Sequence, residues 1–447
     1  MANELFIELK KELAADNEVK FNNYLEKAHP IDLAELLADL NDEEIIKVYN
    51  LGENKKLSDI IEQADEELQI RFLKMLELND IINILSYMSA DNVTDIIGNL
   101  PFDRRKKLLQ MMKAGEADSI RKLLNYDPES AGGLMTTEYI ALKETISIDR
   151  ALTKIKDISP KTEVIETIYV LDDKNHLVGS TSLRSILVAS EDQQLKEITD
   201  YNVISVHPEV DQEEVAFLVA KYDLISIPVI NQQDRLLGII TVDDIIDVIK
   251  AENTEDMFRL AGVNEEEKID SSLIDSIRKR LPWLFVNLVT AFLAAFTVSL
   301  FEDVITQVVA LAAAMPIVAG MGGNAGTQTL AIAIRGIALG KLNIKEDWKI
   351  VFKEIMVGLI NGAVIGIITG VVLYFKYGNP YLGLIIFLAM IGNLVIAGLS
   401  GFLIPLVLEV LGIDPALASA IFLTTFTDVF GFFIFLGLAQ TFLSFLI

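Results

Sequence analysis

The chain has 447 residues, is 51% hydrophobic and 23% charged, and carries a formal net charge of −26. Its mean hydropathy of +0.40 is too high for an ordinary soluble protein, yet its charged fraction is too high for one buried wholly in a bilayer. It has no cysteine, which excludes disulfides and thiolate metal sites. The charge is uneven: six Lys or Arg and eight Asp or Glu follow position 282, so −24 of the −26 falls on residues 1–282. An acidic surface of that size repels nucleic acid and anionic lipid and attracts cations; it also simply keeps a protein soluble. Met1 is followed by a polar, amphipathic stretch with no basic segment and apolar core. No cleavable signal peptide is expected, and the N-terminal part is expected in the cytosol.

Residues 1–126 read as short helices. Apolar residues recur at helical spacing around Leu33–Leu37, from Ile60 to Leu68, and at Ile81, Ile82, Ile84 and Leu85. Ser89-Ala90-Asp91 has the character of a helix start, and Gly98 to Pro101 that of a stop. Helical hairpins in series without strand signals predict an N-terminal α-helical superhelix. The run Arg104-Arg105-Lys106-Lys107 reads as a solvated helix face.

Residues 127–250 change character and contain a repeat. Ile168–Leu171 aligns with Ile227–Ile230, Leu177-Val178-Gly179 with Leu236-Leu237-Gly238, and Ser182–Ile186 with Thr241–Ile245, all at an offset of 59. Each unit reads strand, turn, Gly, strand, helix, and the pair resembles two CBS motifs, an α/β regulatory module. Residues 251–282 read as a connecting helix rich in acids (Glu252, Glu255, Asp256, Glu265, Glu266, Glu267), with Arg278, Lys279 and Arg280 just before the membrane. Residues 283–447 read as a transmembrane domain of five spans, near 283–301, 304–334, 351–376, 381–408 and 415–446, each long enough for the roughly 20 residues a bilayer requires. The second is expected to be interrupted at its Gly-rich centre, Pro316 to Gln328, because such a break is tolerated where backbone lines a cavity or is buried. Lys and Arg cluster before the first span and in the 335–353 loop, which predicts a cytosolic N-terminus and, after five spans, an outside C-terminus.

Asp428 is the most informative residue. It lies in the middle of the last span, which contains no Lys or Arg. A carboxylate at that depth costs several kcal/mol, so it faces a wet cavity, a bound cation or a proton partner; the alternative is a protonated Asp satisfied by a hydrogen bond. Oxygen ligands suit small, hard divalent ions, and Mg2+ keeps most of its water and is held by one or two carboxylates. A homodimer would bring two copies of Asp428 to one axis. Thr424, one turn earlier, and Gly322, Gly323, Asn324, Gly326, Thr327 and Gln328 are further oxygen candidates. Glu302 and Asp303 are either a cation-concentrating outer mouth or ordinary loop residues. The spans contain no His, and His29, His176 and His207 are scattered through the polar part. No phosphate loop, Arg series or nucleophile–His constellation is present, which argues against an ATP-driven pump, a voltage sensor and an enzyme.

A second constellation is acidic: Asp59, Asp91, Asp95, Glu213, Asp223, Asp243, Asp244, Asp247, Glu252, Glu255 and Asp256. If the helical and CBS parts face each other, these carboxylates meet, repel without cations, and compact around a bridging divalent ion that prefers the closed form.

Four features in order along the chain resemble the MgtE family of bacterial magnesium channels and transporters: Glu129-Ser130-Ala131-Gly132-Gly133-Leu134-Met135-Thr136, the CBS pair, Gly322-Gly323-Asn324-Ala325-Gly326, and Asp414-Pro415-Ala416 followed by Thr427-Asp428. The resemblance implies a homodimer in the cytoplasmic membrane with the pore on its two-fold axis, Asp428 as the ion site, and 251–282 as a plug near the inner mouth. It also implies bridging Mg2+ in the sensor, where Asp59, Asp91, Asp223, Asp244, Asp247, Glu252, Glu255 and Asp256 match the family's acidic positions. Two departures stand out. Family members can carry an Asn eight residues before the pore aspartate, where this chain has Ala420. CBS motifs that hold a nucleotide ribose usually present an Asp after Gly-x-x-Ser/Thr-x-x; Asp244 fits in the second motif, but the first has Ser185. ATP in the CBS pair is therefore a weaker expectation than Mg2+. Three functions compete: a Mg2+ influx channel shut by cytosolic Mg2+, a cation-coupled carrier or exchanger using Asp428, and a nucleotide-reporting membrane receptor without flux.

Overall fold

The computed structural model describes residues 2–159, 162–263, 267, 271–339, 342, 348–416 and 419–447. They form two compact units, Met1–Val248 and Ile249–Ile447.

The first unit begins with ten helices: α1 Ala2–Ala15, α2 Glu18–Leu25, α3 Pro30–Ala38, α4 Asp42–Leu51, α5 Asn54–Glu62, α6 Glu66–Met75, α7 Leu78–Leu85, α8 Ala90–Gly98, α9 Phe102–Met111 and α10 Ala114–Leu123. Alternate helices stack: α3, α5, α7 and α9 form one layer and α4, α6, α8 and α10 the other. This is the expected superhelix, because no single hairpin can bury its apolar stripe alone. Its core runs continuously from Leu9 through Phe21, Leu37, Leu57 and Phe72 to Ile97 and Ile120. Local signals set the boundaries: Asn41 and Glu44 form a reciprocal capping box on α4, and the Asp65 carboxylate accepts from Leu68 N at the start of α6. The basic run on α9 is not uniformly solvated. Arg104 donates to the carbonyls of Leu73 and Leu76 and so closes the C-terminus of α6, while Lys106 and Lys107 stay exposed.

The repeat folds as two matched halves. After α11 (Ala131–Leu134), β1 (Ala141–Lys143) runs parallel to β2 (Thr167–Leu171), and β2 pairs antiparallel with β3 (Leu177–Ser182); α12 (Ile148–Ile158) and α13 (Leu183–Val188) cover this sheet. In the second half α14 (Gln212–Tyr222) precedes β4 (Ser226–Ile230), antiparallel to β5 (Leu236–Thr241), and α15 (Val242–Leu260) follows. The starts of β2 and β4, of β3 and β5, and of α13 and α15 each differ by 59, the offset of the sequence repeat. A buried hydrogen bond of 2.7 Å between Tyr169 Oη and Ser226 Oγ joins β2 to β4.

The connecting segment departs from expectation. The 250/251 boundary falls inside α15, which continues the second CBS helix to Leu260. The helix then stops at Gly262, whose φ of +68° ends it: Gly262 N donates to Arg259 O and Val263 N to Phe258 O, the Schellman pattern. A new helix, α16 (Leu273–Ser299), starts at the N-cap Ser272 and runs through Pro282 into the first span. Two helices thus replace the single one expected over 251–282; Glu265 and Glu266 lie outside the described residues, as do Lys341 and Lys345 of the basic loop.

The second unit continues with α17 (Glu302–Gln307), α18 (Ala310–Ala338), α19 (Trp348–Tyr377), α20 (Pro380–Val410), α21 (Ser419–Thr441) and α22 (Leu443–Leu446). Among the described residues four helices, α16, α19, α20 and α21, are long and apolar enough to cross a membrane. The fifth, α18, has 29 residues but a Gly- and amide-rich middle. That middle is helical, not interrupted; the break lies earlier, at Val308–Val309, between α17 and α18. The glycines serve packing. A Cβ on Gly322 would stand 2.4 Å from Asn393 Nδ2, and one on Gly326 2.6 Å from Leu423 Cδ1. Between α19 and α20 a four-residue ladder, Gly358, Gly362, Gly366 and Gly370, brings the backbones together, and Gly370 touches Gly383 across it. Small residues at this spacing let membrane helices approach where apolar burial gives no driving force. Glu302 and Asp303 occupy the first turn of α17, where the helix dipole favours acids.

Candidate ion path and acidic sensor interface

On α21, Asp428 is half-buried, Thr424 one turn earlier is exposed, and both lie on one face. The hydroxyls of Thr424, Thr425 and Thr427 all donate to backbone carbonyls, the first two to Ile421 O and the third to Thr424 O, so each can offer an ion only its oxygen lone pairs. Gly322 meets Asn393, which also meets Gly431, and Gly326 meets Leu423. Higher numbers on α18 therefore face lower numbers on α21, so the two helices are antiparallel. Asp428 falls between the two contact points on α21, and Gly323 and Asn324 fall between those on α18. The six oxygen candidates on α18 divide accordingly. Gly322 and Gly326 are buried in packing, whereas Asn324, Thr327 and Gln328 are exposed, and a Cβ added to Gly323 would meet nothing within 4 Å.

Asn393 and Glu354 are among the buried polar residues of this unit that the sequence did not single out. Asn393 on α20 has no exposed surface. Glu354 on α19 is buried, accepts from Thr329 Oγ1 at 3.2 Å and pairs with Lys353 at 3.4 Å. A polar residue in an apolar run is a visible signal, but its partners sit on other helices. At the end of α15, Arg259 forms ion pairs with Glu255 and with Asp414 of the α20–α21 loop, and Leu260 packs with Leu330, Ile334, Ala416 and Leu423. Asp256 is held above the usual carboxylate range by burial, against the pull of Arg335. Glu255 and Asp256 thus face basic residues of their own unit, Arg259 and Arg335 respectively.

In the first unit the superhelix and the CBS pair share an acidic crevice. Asp59, Glu62, Asp91 and Asp95 come from α5 and α8, Glu138 and Glu163 from the segments flanking β1 and α12, and Asp244 from the start of α15. Asp91 is 8% exposed, and its Oδ1 has no partner. Burial and then the charges of Asp91 and Asp244 push Asp95 up to about 6. Burial likewise pushes Asp244 up to about 6, with Asp243 and Asp91 adding to it and Thr241 opposing through a 2.6 Å hydrogen bond. Glu163 reaches about 8, through burial and Asp91. Burial and neighbouring acids also raise Glu62 and Glu138. Asp59, Asp95 and Glu163 keep one side open to solvent, so the crevice is narrow enough to strip water from carboxylates and open enough to admit it. Among the described residues no three acidic side chains form a ready-made metal cage. Mg2+, which prefers to keep its water, does not require one. The donor set, oxygen-only and over-charged, fits a hydrated divalent cation.

Of the expected sensor acids, the crevice unites Asp59, Asp91, Asp95 and Asp244, with Asp243 beside them. Asp223 instead ends α14 in the left-handed conformation (φ 51°), Glu213 lies in that helix's first turn, and Asp247 follows Asp244 by one turn. Glu62, Glu138 and Glu163 were missed, because nothing in their local sequence distinguishes them from other surface acids.

A polytopic helical domain carrying a mid-span carboxylate, together with a CBS pair and an acidic crevice, is the architecture of a membrane transporter of divalent cations. The profile of the MgtE family, described as a divalent cation transporter, matches residues 315–438; that of the MgtE intracellular N domain matches 28–129, and the CBS profile matches 131–192 and 195–251. The magnesium transporter MgtE of Bacillus subtilis is 31% identical over 96% of both chains, and that of Thermus thermophilus 33% identical over 99% of this chain and 100% of its own. The soluble part of a magnesium transporter superposes with a TM-score of 0.53 at 33% identity, covering 56% of this chain and 99% of that one. The cytosolic domain of the Mg2+ channel MgtE in complex with ATP gives 0.53 at 32% identity, covering 54% and 99%. The chain belongs to the MgtE family. It is a multi-pass membrane transporter rather than an enzyme, and Mg2+ fits as the transported ion.

Proposed function

We propose that the protein is a Mg2+ influx channel that cytosolic Mg2+ shuts. The carrying observation is the crevice, where carboxylates of two domains are held against each other and Asp91 Oδ1 has no partner. Without cations the repulsion favours separation. Mg2+ bridges the superhelix to the CBS pair and shifts the population to the closed form through its preference for that form. Two copies form a homodimer in the cytoplasmic membrane, with Asp428 of each facing the axis and Thr424, Gly323, Asn324 and Thr327 supplying oxygens to hydrated Mg2+. The N-terminal domains are cytosolic and the C-terminus lies outside. The end of α15 acts as the plug, and the Arg259–Asp414 pair and the Leu260 contacts support its docking beside the α20–α21 loop. Asp223, Asp247, Glu213 and Glu252 complete the acidic surface that collects cations.

ATP is a second ligand of the CBS pair. The related cytosolic domain of the Mg2+ channel MgtE is in complex with it. Here Asp244 is held by Thr241 and senses Asp91, so its carboxylate serves the metal-bridged interface, and the first motif offers Ser185, hydrogen-bonded to Ser182, in the ribose position. The testing experiment is Mg2+ flux into proteoliposomes with wild type and Asp428→Ala, at low and high Mg2+ on the cytosolic face. The expected result is flux abolished by the substitution and suppressed by high cytosolic Mg2+. Flux unchanged in Asp428→Ala would remove the pore assignment.

A further inference from the structure

Asn393 lies wholly buried on α20 where three helices converge. Its Nδ2 donates to Val318 O on α18 at 2.7 Å. Its Oδ1 has no hydrogen-bond partner. Both neighbours that close over the carboxamide are glycines. A Cβ on Gly322 of α18 would stand 2.4 Å from Nδ2, and a Cβ on Gly431 of α21 2.8 Å from Oδ1. Real Cβ contacts are essentially never so short, so the amide occupies the space that two absent side chains leave.

Stability does not explain this choice. Leucine has the same branched shape, though its methyl groups are bulkier than the amide, and it would spare the helices a buried acceptor with nothing to accept from. A half-satisfied buried polar group is more readily understood as fixing register than as adding stability. The register in question is specific. Gly322 immediately precedes Gly323 and Asn324, and Gly431 follows Asp428 by three residues. One side chain therefore touches both helices that bear the candidate ion-path groups. The hydrogen bond holds α18, and the close fit against Gly431 sets how near α21 can come.

We propose that Asn393, seated between Gly322 and Gly431, is a positioning residue for ion passage: it sets the spacing between Asp428 and the Gly323–Asn324 level and thereby the discrimination among divalent cations. The inference rests on the ion path proposed at Asp428. A hydrated ion held by few groups is read through its size, so a shift of a fraction of an ångström between these walls alters which cation fits. Asn393 itself, with no exposed surface, does not touch the ion.

The test is uptake of Mg2+ and of Ca2+ by proteoliposomes of the full-length protein, normalised to folded protein by size exclusion and thermal melting. Asn393→Leu exchanges the unsatisfied acceptor for bulkier methyl groups, and its melting temperature serves to normalise uptake to folded protein. Its Mg2+ uptake is expected to fall at least fivefold, with a Mg2+:Ca2+ uptake ratio changed at least threefold. Gly431→Ala, which drives a methyl group into Oδ1, is expected to do the same from the other side, and it carries the test if Asn393→Leu does not fold. Combining Gly431→Ala with Asn393→Ala is expected to be no worse than Asn393→Ala alone, because the clash is gone. A purely structural role predicts uptake falling only with the amount of folded protein and an unchanged ratio, and that result overturns the proposal. Asp428→Ala separates the two readings. If it abolishes uptake while Asn393→Leu and Gly431→Ala behave as wild type, the positioning role alone fails; if Asp428→Ala transports normally, the ion path fails and the role of Asn393 fails with it.

Discussion

Replacing Asp244 by Asn removes one charge from the crevice and leaves the local structure intact, because the Asn side-chain oxygen can still accept the Thr241 hydroxyl bond. The carboxyl is raised from 3.8 to about 6 by burial and by Asp243 and Asp91. Two units correspond to about 3 kcal/mol between charged and neutral forms. Water reaching the open side of the crevice screens this to about 1–2 kcal/mol, which is a factor of about 5–30 in an equilibrium. In the absence of Mg2+ at pH 7.5, the variant is therefore expected to be closed about 5–30-fold more than wild type. The same substitution removes a carboxylate from the bridging set, so closure should also respond less steeply to Mg2+. Protease accessibility of the superhelix–CBS junction, titrated with Mg2+, measures both. A variant with wild-type accessibility in EDTA and an unchanged Mg2+ midpoint and slope would refute the idea that Asp244 faces the other carboxylates across the crevice.

The raised values of Glu163 (about 8) and of Asp95 and Asp244 (about 6) mean that the metal-free closed interface binds more protons than the separated one. Metal-free compaction should accordingly strengthen as pH falls through 8 towards 6 and weaken as it rises. Mg2+ must displace those protons, so its apparent affinity should rise with pH across the same window, and calorimetry in buffers of differing ionisation enthalpy should show proton release at pH 6–7. Gly370→Val on α19 would force a side chain into Gly383 O, 2.7 Å from the ideal Cβ; such overpacking costs about 1–3 kcal/mol and should lower the melting temperature in detergent, whereas the same change at Gly320, with nothing within 4 Å, should cost much less. Arg259→Ala removes the Asp414 and Glu255 ion pairs at the end of α15; a partly exposed pair is worth about 1 kcal/mol or less, so flux should require up to fivefold more cytosolic Mg2+ to be suppressed.

Much of this architecture was legible because it is periodic. The offset of 59 reappears residue for residue in β2/β4, β3/β5 and α13/α15, since a repeated strand–Gly–strand–helix pattern leaves few ways to fold. Helical spacing gave the superhelix, and the cost of a carboxylate in an apolar helix singled out Asp428. What was misread turns on what glycine is for. Pro316 and the glycines after it suggested a broken helix, yet Gly322 and Gly326 are absent side chains that make room for Asn393 and Leu423, a demand visible only once α20 and α21 are in place. The ladder Gly358, Gly362, Gly366 and Gly370 was written openly in the sequence and passed over because the span was read for hydropathy alone. Gly262 ended a helix that acidic composition had seemed to carry to residue 282. Glu62, Glu138 and Glu163 could not be picked from 64 acids, because their distinction is company across a domain boundary: Asp91 for Glu138 and Glu163, Asp244 and Glu138 for Glu62.

The central claim is that cytosolic Mg2+ closes a path for Mg2+ through the membrane. Its most direct test is electrical recording from the purified protein in a planar bilayer with Mg2+ as the only permeant cation, while Mg2+ on the cytosolic face is stepped from micromolar to millimolar. Unitary openings at low Mg2+ that vanish at high Mg2+, and that persist at high Mg2+ when Asp91 and Asp244 are both replaced by Ala, are the predicted result. Transport without unitary currents, or openings indifferent to cytosolic Mg2+, would contradict the account.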